Sequence, residues 1–174
     1  MQQPKQTRQH EGAGVIEVQV LRPDDWRMWR RLRQEALADA PAAFGSTLAE
    51  WSGPGDTEVR WRTRLTDVPF NVIVWWRGIP AGMVGAYITD TDTVELVSMW
   101  VAPAARGRGV GDAAVSTVLY WANCREVGLS VKADNRAAIR LYRRHGFAEA
   151  GRLPDDAGER RMLRPTRMNP PEAP

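Results

Sequence analysis

The first clear pattern along the chain is a strict alternation. In "VIEVQVL", Val15, Glu17 and Gln19 stand against Ile16, Val18 and Val20, which reads as a strand. After Pro23 the period lengthens. Trp26, Trp29, Leu32, Ala36 and Leu37 share one stripe of "DDWRMWRRLRQEALADA", with acids at its start, so this stretch predicts an amphipathic helix. The loop "PAAFGSTLAEWSGPG" leads to a second, shorter helix, "DTEVRWRTRL", which Asp56 is placed to cap. The middle of the chain then returns to period two. "NVIVWW" and "GMVGAYIT" are joined by the turn signal Arg77-Gly78-Ile79-Pro80, and "DTDT" joins the second run to "VELVSMWV", which predicts three antiparallel strands. From Val110 to Ala122 the spacing of Val115, Val118 and Leu119 is helical, and "VGLSV" is a short strand. "NRAAIRLYRRHGF" puts Ala138, Leu141 and Tyr142 on one helical face and ends with Gly146 and Phe147, a left-handed stop. "FAEAGRL" and "ERRMLR", around "PDDAG", close the chain as a hairpin.

The predicted order is therefore β-α-α-β-β-β-α-β-α-β-β, an α/β (α+β) chain with about seven strands. Residues 1–14 and 165–174 are polar, contain proline and lack periodicity, so they read as mobile tails around one domain over 15–164.

Composition narrows the picture. The 174 residues suffice for one core, and 43% hydrophobic with 26% charged residues is the balance of a globular chain. No stretch approaches the roughly 20 apolar residues of a membrane span, and the N-terminus lacks the apolar segment of a secretory signal, so the expectation is a cytoplasmic protein with no membrane partner. The net charge is only +3, yet 22 of the 24 basic residues are arginine, whose planar fork suits phosphate. Cys124 is the only cysteine, which excludes an internal disulfide and a cysteine-built metal site, and among apolar helix residues it reads as a small buried side chain. His10 lies in a tail and His145 near a helix end, so no metal site is expected.

One stretch carries chemistry. "ARGRGVGDAAV" (105–115) follows a predicted strand and opens a predicted helix. Backbone N–H groups at such a handover point outward and the helix dipole adds positive potential, which makes an anion seat. Gly107, Gly109 and Gly111 allow close approach of a phosphate, and Arg106 and Arg108 add charge. The spacing is G-x-G-x-G, which fits neither the dinucleotide fingerprint nor the nucleoside-triphosphate loop. A purely structural turn is the competing reading.

With "VELVSMWVAPAARGRGVGDAAV" followed by "LSVKADNRAAIRLYRRHGF", the chain resembles the GNAT superfamily of acetyl-CoA-dependent N-acetyltransferases. Arg106 to Gly111 fits the family's R/Q-x-x-G-x-G/A pyrophosphate motif, and Asn135, Ala138, Leu141, Tyr142, Gly146 and Phe147 fit N-x-x-A-x-x-L-Y-x-x-x-G-F. The resemblance implies a mixed sheet splayed between its fourth and fifth strands. It implies acetyl-CoA as co-substrate, with no metal. Met99, Trp100 and Val101 would pair with the pantetheine arm, and the main chain of Gly107, Arg108, Gly109, Val110, Gly111 and Asp112 would hold the pyrophosphate. Asn135 would touch the cofactor, or cap its helix, or both.

The same resemblance names two catalytic candidates. Tyr142 would protonate the departing thiolate, with core packing as the alternative. Glu95 would take the amine's proton, with a solvated strand glutamate as the alternative. A branch that acetylates protein N-termini has a glutamate where this chain has Ser130, so that mechanism does not carry over. For the acceptor, Phe44, Trp51 and Trp61 read as an apolar slot or as core, and Glu50, Asp155 and Asp156 as attractors of a cation or as solvated charge. The expectation is transfer to a primary amine of a small molecule. A protein or peptide acceptor, and a non-catalytic acetyl-CoA-binding module, are the alternatives. Arg136, Arg140, Arg143 and Arg144 spread over more than one helix face without stacking aromatics, so nucleic acid is not an expected partner. Eight tryptophans leave room for a homodimer interface.

Overall fold

β-branched and aromatic runs bounded by glycine and aspartate turns form the strands, and the apolar stripes form the helices. The computed structural model describes residues 14–151 and 158–166. Its strands are β1 (Ile16–Val20), β2 (Phe70–Trp76), β3 (Ile79–Ile88), β4 (Val94–Val101), β5 (Val127–Lys132), β6 (Ala148–Glu149) and β7 (Glu159–Arg164). The helices are α1 (Trp26–Asp39), α2 (Glu58–Asp67), α3 (Val110–Trp121) and α4 (Arg136–Arg144). All strands join one sheet in the order β1-β2-β3-β4-β5-β7-β6. Every neighbouring pair is antiparallel except β4 and β5, which run parallel.

Two cores cover the two faces of the sheet. Trp29, Leu32 and Ala36 of α1 and Trp61 and Leu65 of α2 pack on Ile73, Met83 and Trp100. Val110, Ala114, Val115 and Val118 of α3, with Ile139 and Tyr142 of α4, pack on the other face against Val72, Val74, Val84, Leu96 and Leu129. In β2 the alternation is direct: Val72 and Val74 serve one core and Ile73 the other.

Three local expectations are corrected. The N-cap of α2 is Thr57, whose Oγ1 accepts from Arg60 N at 3.3 Å, because the chain enters the helix one residue later than Asp56. Asp56 instead accepts from Arg30 Nε of α1 at 2.6 Å and from Trp61 Nε1 at 2.8 Å, tying the two helices together. The β2–β3 turn is Arg77-Gly78 alone, both with positive φ (54° and 74°), and Ile79 and Pro80 belong to β3. Cys124 is exposed, since α3 ends at Trp121 and the chain leaves it through Asn123 and Cys124, both at positive φ. The expected tails, the acids Asp155 and Asp156, and His10 lie largely or wholly outside the described residues.

No helix among the described residues is long and apolar enough to cross a membrane. No group of histidine, cysteine, aspartate or glutamate among them is arranged to hold a metal ion.

Candidate functional site

The site is made by a strand that is paired on one side and unpaired on the other. β4 and β5 share only two register pairs, Val94 with Val127 and Glu95 with Gly128. Beyond Glu95 the two strands part, so the C-terminal half of β4 presents an edge with no strand among the described residues on its β5 side. In that half the alternation also breaks. Val97 pairs with Gly85 and Trp100 with Met83, so Ser98 and Met99 are opposed by Val84 alone, a β-bulge with Ser98 at φ 56°. The extra residue reverses the faces: Val94 and Leu96 serve the α3 core before it, Met99 and Val101 pack there after it, and Trp100 turns to the α1 side. A non-glycine residue held in the left-handed region marks a position that its surroundings over-determine.

A cleft of about 630 Å³ opens along this edge. Of the residues singled out for the cofactor, Met99, Trp100, Val101, Arg106, Gly107, Gly109, Gly111, Asp112, Asn135 and Tyr142 line it. Arg108 and Val110 do not. Val110 is buried in the core, and the Arg108 guanidinium lies 5.9 Å from the Trp76 ring centroid.

Gly107 (φ 73°) and Gly109 (φ 85°) supply the left-handed turns that aim the backbone into α3, with Gly109 as its N-cap. No hydrogen bond from the N–H groups of Gly107, Gly109, Val110, Gly111 or Asp112 is seen among the described residues, whereas Arg108 N is committed to Ala105 O at 3.3 Å. These free donors at the positive end of a helix form an anion cradle.

The arginine of the motif has a second function. Arg106 Nε donates to Val101 O at 3.1 Å, and its Nη2 pairs with Asp39 at the end of α1. Asp39 also accepts from Trp100 Nε1 at 2.9 Å, so Arg106 and Trp100 lock the cradle to α1. Asp112 accepts from Arg144 Nη2 at 3.0 Å and shares a hydrogen bond with His145 Nε2 at 3.0 Å. Burial opposes ionisation of Asp112, but the bonds from Arg144 and His145 outweigh it and hold its carboxyl below the usual range. Asn135 Oδ1 accepts from Ala138 N at 3.1 Å, so it caps α4 while lining the cleft.

The two catalytic candidates are placed differently. Tyr142 is 5% exposed, its ring 5.8 Å from that of Phe147, and no hydrogen-bond partner of its hydroxyl is seen among the described residues. Burial pushes its phenol pKa up, so the group stays protonated at neutral pH. Glu95 is outside the cleft lining. Its carboxylate takes both ends of the Arg161 guanidinium, at 2.5 and 2.7 Å. Arg161 reaches it by crossing Gly128, where a Cβ would stand 2.1 Å from Arg161 Nη2. That pair raises the Arg161 pKa, with the Glu95 hydrogen bond as the largest cause.

On the acceptor side, Phe44 lines the cleft, whereas Trp61 is fully buried and packs against Trp51, with ring centroids 4.4 Å apart. Glu50 Oε2 accepts from Thr47 N at 2.7 Å and is spent within its own loop. Sequence reasoning missed Ser98, Arg33 and Arg64. For Ser98 the signal was present: a polar residue stands in the register of Val94 and Leu96, and Met99 and Val101 then take over the apolar positions.

The matching family is described as the acetyltransferase (GNAT) family, and its model covers residues 26–147. An uncharacterised protein of Mycobacterium leprae is 42% identical over 74 residues, 42% of this chain and 21% of that protein. The N-alpha-acetyltransferase RimI of Mycobacterium tuberculosis is 40% identical over 57 residues, 33% of this chain and 36% of that protein. The matches thus span about a fifth and about a third of those relatives' length. The crystal structure of YncA, a putative acetyltransferase from Salmonella typhimurium with acetyl-CoA, superposes with a TM-score of 0.69 at 19% identity, over 92% of this chain and 98% of that one. A sheet that opens after its fourth strand, a glycine cradle at the next helix and a family match over most of the chain agree: this protein belongs to the acetyltransferase (GNAT) family.

Proposed function

We propose that the protein transfers an acetyl group from acetyl-CoA directly to the primary amine of a small molecule. One observation carries this reading: the N–H groups of Gly107, Gly109, Val110, Gly111 and Asp112, free among the described residues, continue the open edge of β4 into a single cleft that Tyr142 also lines. The cradle fits a diphosphate, and the unpaired edge fits the amides of an extended pantetheine arm, which would add to the sheet as a strand does. The thioester carbonyl then lies at the bulge, where a main-chain N–H near Met99 or Trp100 meets the oxyanion without reorganisation.

In the transfer itself, the neutral amine attacks the thioester carbonyl, the carbon–sulfur bond breaks, and the Tyr142 hydroxyl gives its proton to the thiolate. Solvent returns a proton to Tyr142. The amine's own proton leaves to solvent at the cleft mouth, where Ser130 is exposed. Glu95 is a poor sink for that proton, since both its oxygens are engaged by Arg161; its part is to hold β4 and β7 together where the sheet begins to splay. No covalent acyl-enzyme is needed, because positioning and polar stabilisation suffice.

The test is thiol release from acetyl-CoA over a panel of polyamines, amino acids, aminoglycosides and peptides, with calorimetric titration of acetyl-CoA alongside. Binding together with transfer to a small amine supports the reading. Binding without transfer leaves a coenzyme-binding module, transfer to peptides alone makes it a peptide acetyltransferase, and absence of binding removes the reading altogether.

A further inference from the structure

Behind the acceptor wall of the cleft stand two arginines that, among the described residues, donate to no carboxylate. Arg33 of α1 is 8% exposed. Its Nη2 donates to Ser46 Oγ at 2.9 Å, its guanidinium lies 4.4 Å from the Phe44 ring centroid, and its buried Nη1 has no hydrogen-bond partner among the described residues. Arg64 of α2 donates from Nη2 to Ser98 Oγ at 3.0 Å and from Nη1 to Asn71 Oδ1 at 3.3 Å, and it lies 5.2 Å from the Trp29 ring centroid. Neither forms an ion pair among the described residues, although most of the chain's other described arginines do. Each hydrogen bond they make among the described residues goes to a neutral oxygen.

A buried cation, Arg33, beside a half-buried one, Arg64, is electrostatically costly. Burial, followed by repulsion from Arg64, brings the Arg33 pKa down to about 10, and burial brings Arg64 to about 10 as well, against the partial attraction of Asp67. Ring faces at Phe44 and Trp29 compensate in part. A buried cation with no hydrogen-bonded anion is costly, and an anion that reached it would relieve that cost. Neither arginine lines the cleft, but each stands one side chain behind its wall. Phe44, which covers Arg33, and Ser98, which holds Arg64, are both part of the cleft wall, and Ser98 directly precedes the bulge residue Met99 where the acetyl carbonyl is placed above.

We infer that Arg33 and Arg64 form the receptor for a carboxylate on the acceptor, so that the substrate is an amino acid: a primary amine with a carboxylate close by on the same small molecule. This rests on the acetyltransferase reading and deepens it. The amine end meets the thioester at the bulge, and the carboxylate displaces the Ser46 and Ser98 hydroxyls from the two guanidiniums. A guanidinium fork matches a carboxylate in two parallel hydrogen bonds, which a hydroxyl does not. A peptide N-terminus, whose neighbouring carbonyl is an amide, lacks this anion.

The test compares free L-amino acids with the same amino acids as C-terminal amides, in the thiol-release assay with acetyl-CoA. The expected result is a kcat/KM at least tenfold higher for the acids. Arg64→Lys and Arg33→Gln are expected to lower kcat/KM for the acids by about 30-fold or more while leaving the amides within threefold, the size associated with losing a desolvated charge pair. Calorimetric binding of acetyl-CoA is expected to be unchanged in both variants, which shows that they are folded and keep the cradle. Equal use of acids and amides by the unaltered protein, or preference for amides or peptides, overturns the inference while the acetyltransferase reading stands. Equal loss for acids and amides in the variants overturns it too, since it marks the arginines as structural. Absence of acetyl-CoA binding in the unaltered protein removes both readings.

Discussion

Replacing Tyr142 with phenylalanine separates chemistry from packing. The ring is buried against Phe147, and phenylalanine keeps that packing intact. The hydroxyl has no partner among the described residues, so its removal orphans nothing. The expected change in stability is therefore within about 0.5 kcal/mol, the range of a substitution that breaks no named interaction, or a shift in Tm within about 2 °C. The expected loss in turnover is tenfold or more, in line with the roughly 10²- to 10⁴-fold contribution of a positioned general acid. Because the lost interaction forms only as the thiolate departs, kcat and kcat/KM should fall together and KM for acetyl-CoA should hold. Burial raises the Tyr142 pKa above its ordinary value near ~10, so the unaltered enzyme should show no loss of this proton donor below that pH. Steady-state kinetics beside a thermal melt reads all of this. Unchanged kcat refutes the acid role, and a Tm several degrees lower refutes the claim that the hydroxyl is free.

Three further predictions follow from the same geometry. Gly109→Ala forces a Cβ into a left-handed turn and to 3.3 Å from Ile16 Cδ1, whereas Gly107→Ala meets nothing within 4 Å; each carries about 1–2 kcal/mol of backbone strain. Calorimetry should show at least tenfold weaker coenzyme binding for both, with the larger Tm loss for Gly109→Ala, and undiminished affinity would contradict the cradle. Hydrogen bonds from Arg30 and then Trp61 depress the Asp56 pKa, so the unfolded chain takes up this proton first as pH falls through about 4 and the stabilisation is lost below that point. Asp56→Asn should lower Tm at pH 7 and flatten its dependence between pH 5 and 2; an unchanged slope would show that the pair contributes nothing. Glu95→Gln should cost stability through the loss of its ion pair with Arg161 yet leave kcat within tenfold and the pH–rate profile in place. Disappearance of an acid limb in that profile would make Glu95 the base.

The elements were legible because each is written in local spacing. The α1 stripe, the αL stop at Gly146 and the glycine handover at 107–111 depend on neighbours within a turn or two. The Ser98 bulge was less legible, since its sign is a change of phase within eight residues that only the pairing with β3 makes unambiguous. Asp56 looks like a cap in sequence, and its partners are 26 and 5 residues away. Arg33 sits on the buried face of α1, four residues from Trp29, where a charge contradicts the stripe. That contradiction was readable, but its meaning depended on Arg64, which a different helix supplies. Glu95 was found through the resemblance, and no local pattern announces Arg161, which arrives from β7 across Gly128.

Coenzyme binding in this cleft depends on main-chain donors between Gly107 and Asp112 that hold the diphosphate. Amide NMR of the isotopically labelled chain, titrated with coenzyme A, observes those N–H groups themselves. The largest shifts are predicted at Gly107, Gly109, Val110, Gly111 and Asp112, with a second set along Met99 to Val101. Saturable binding that leaves all of these resonances in place would contradict it.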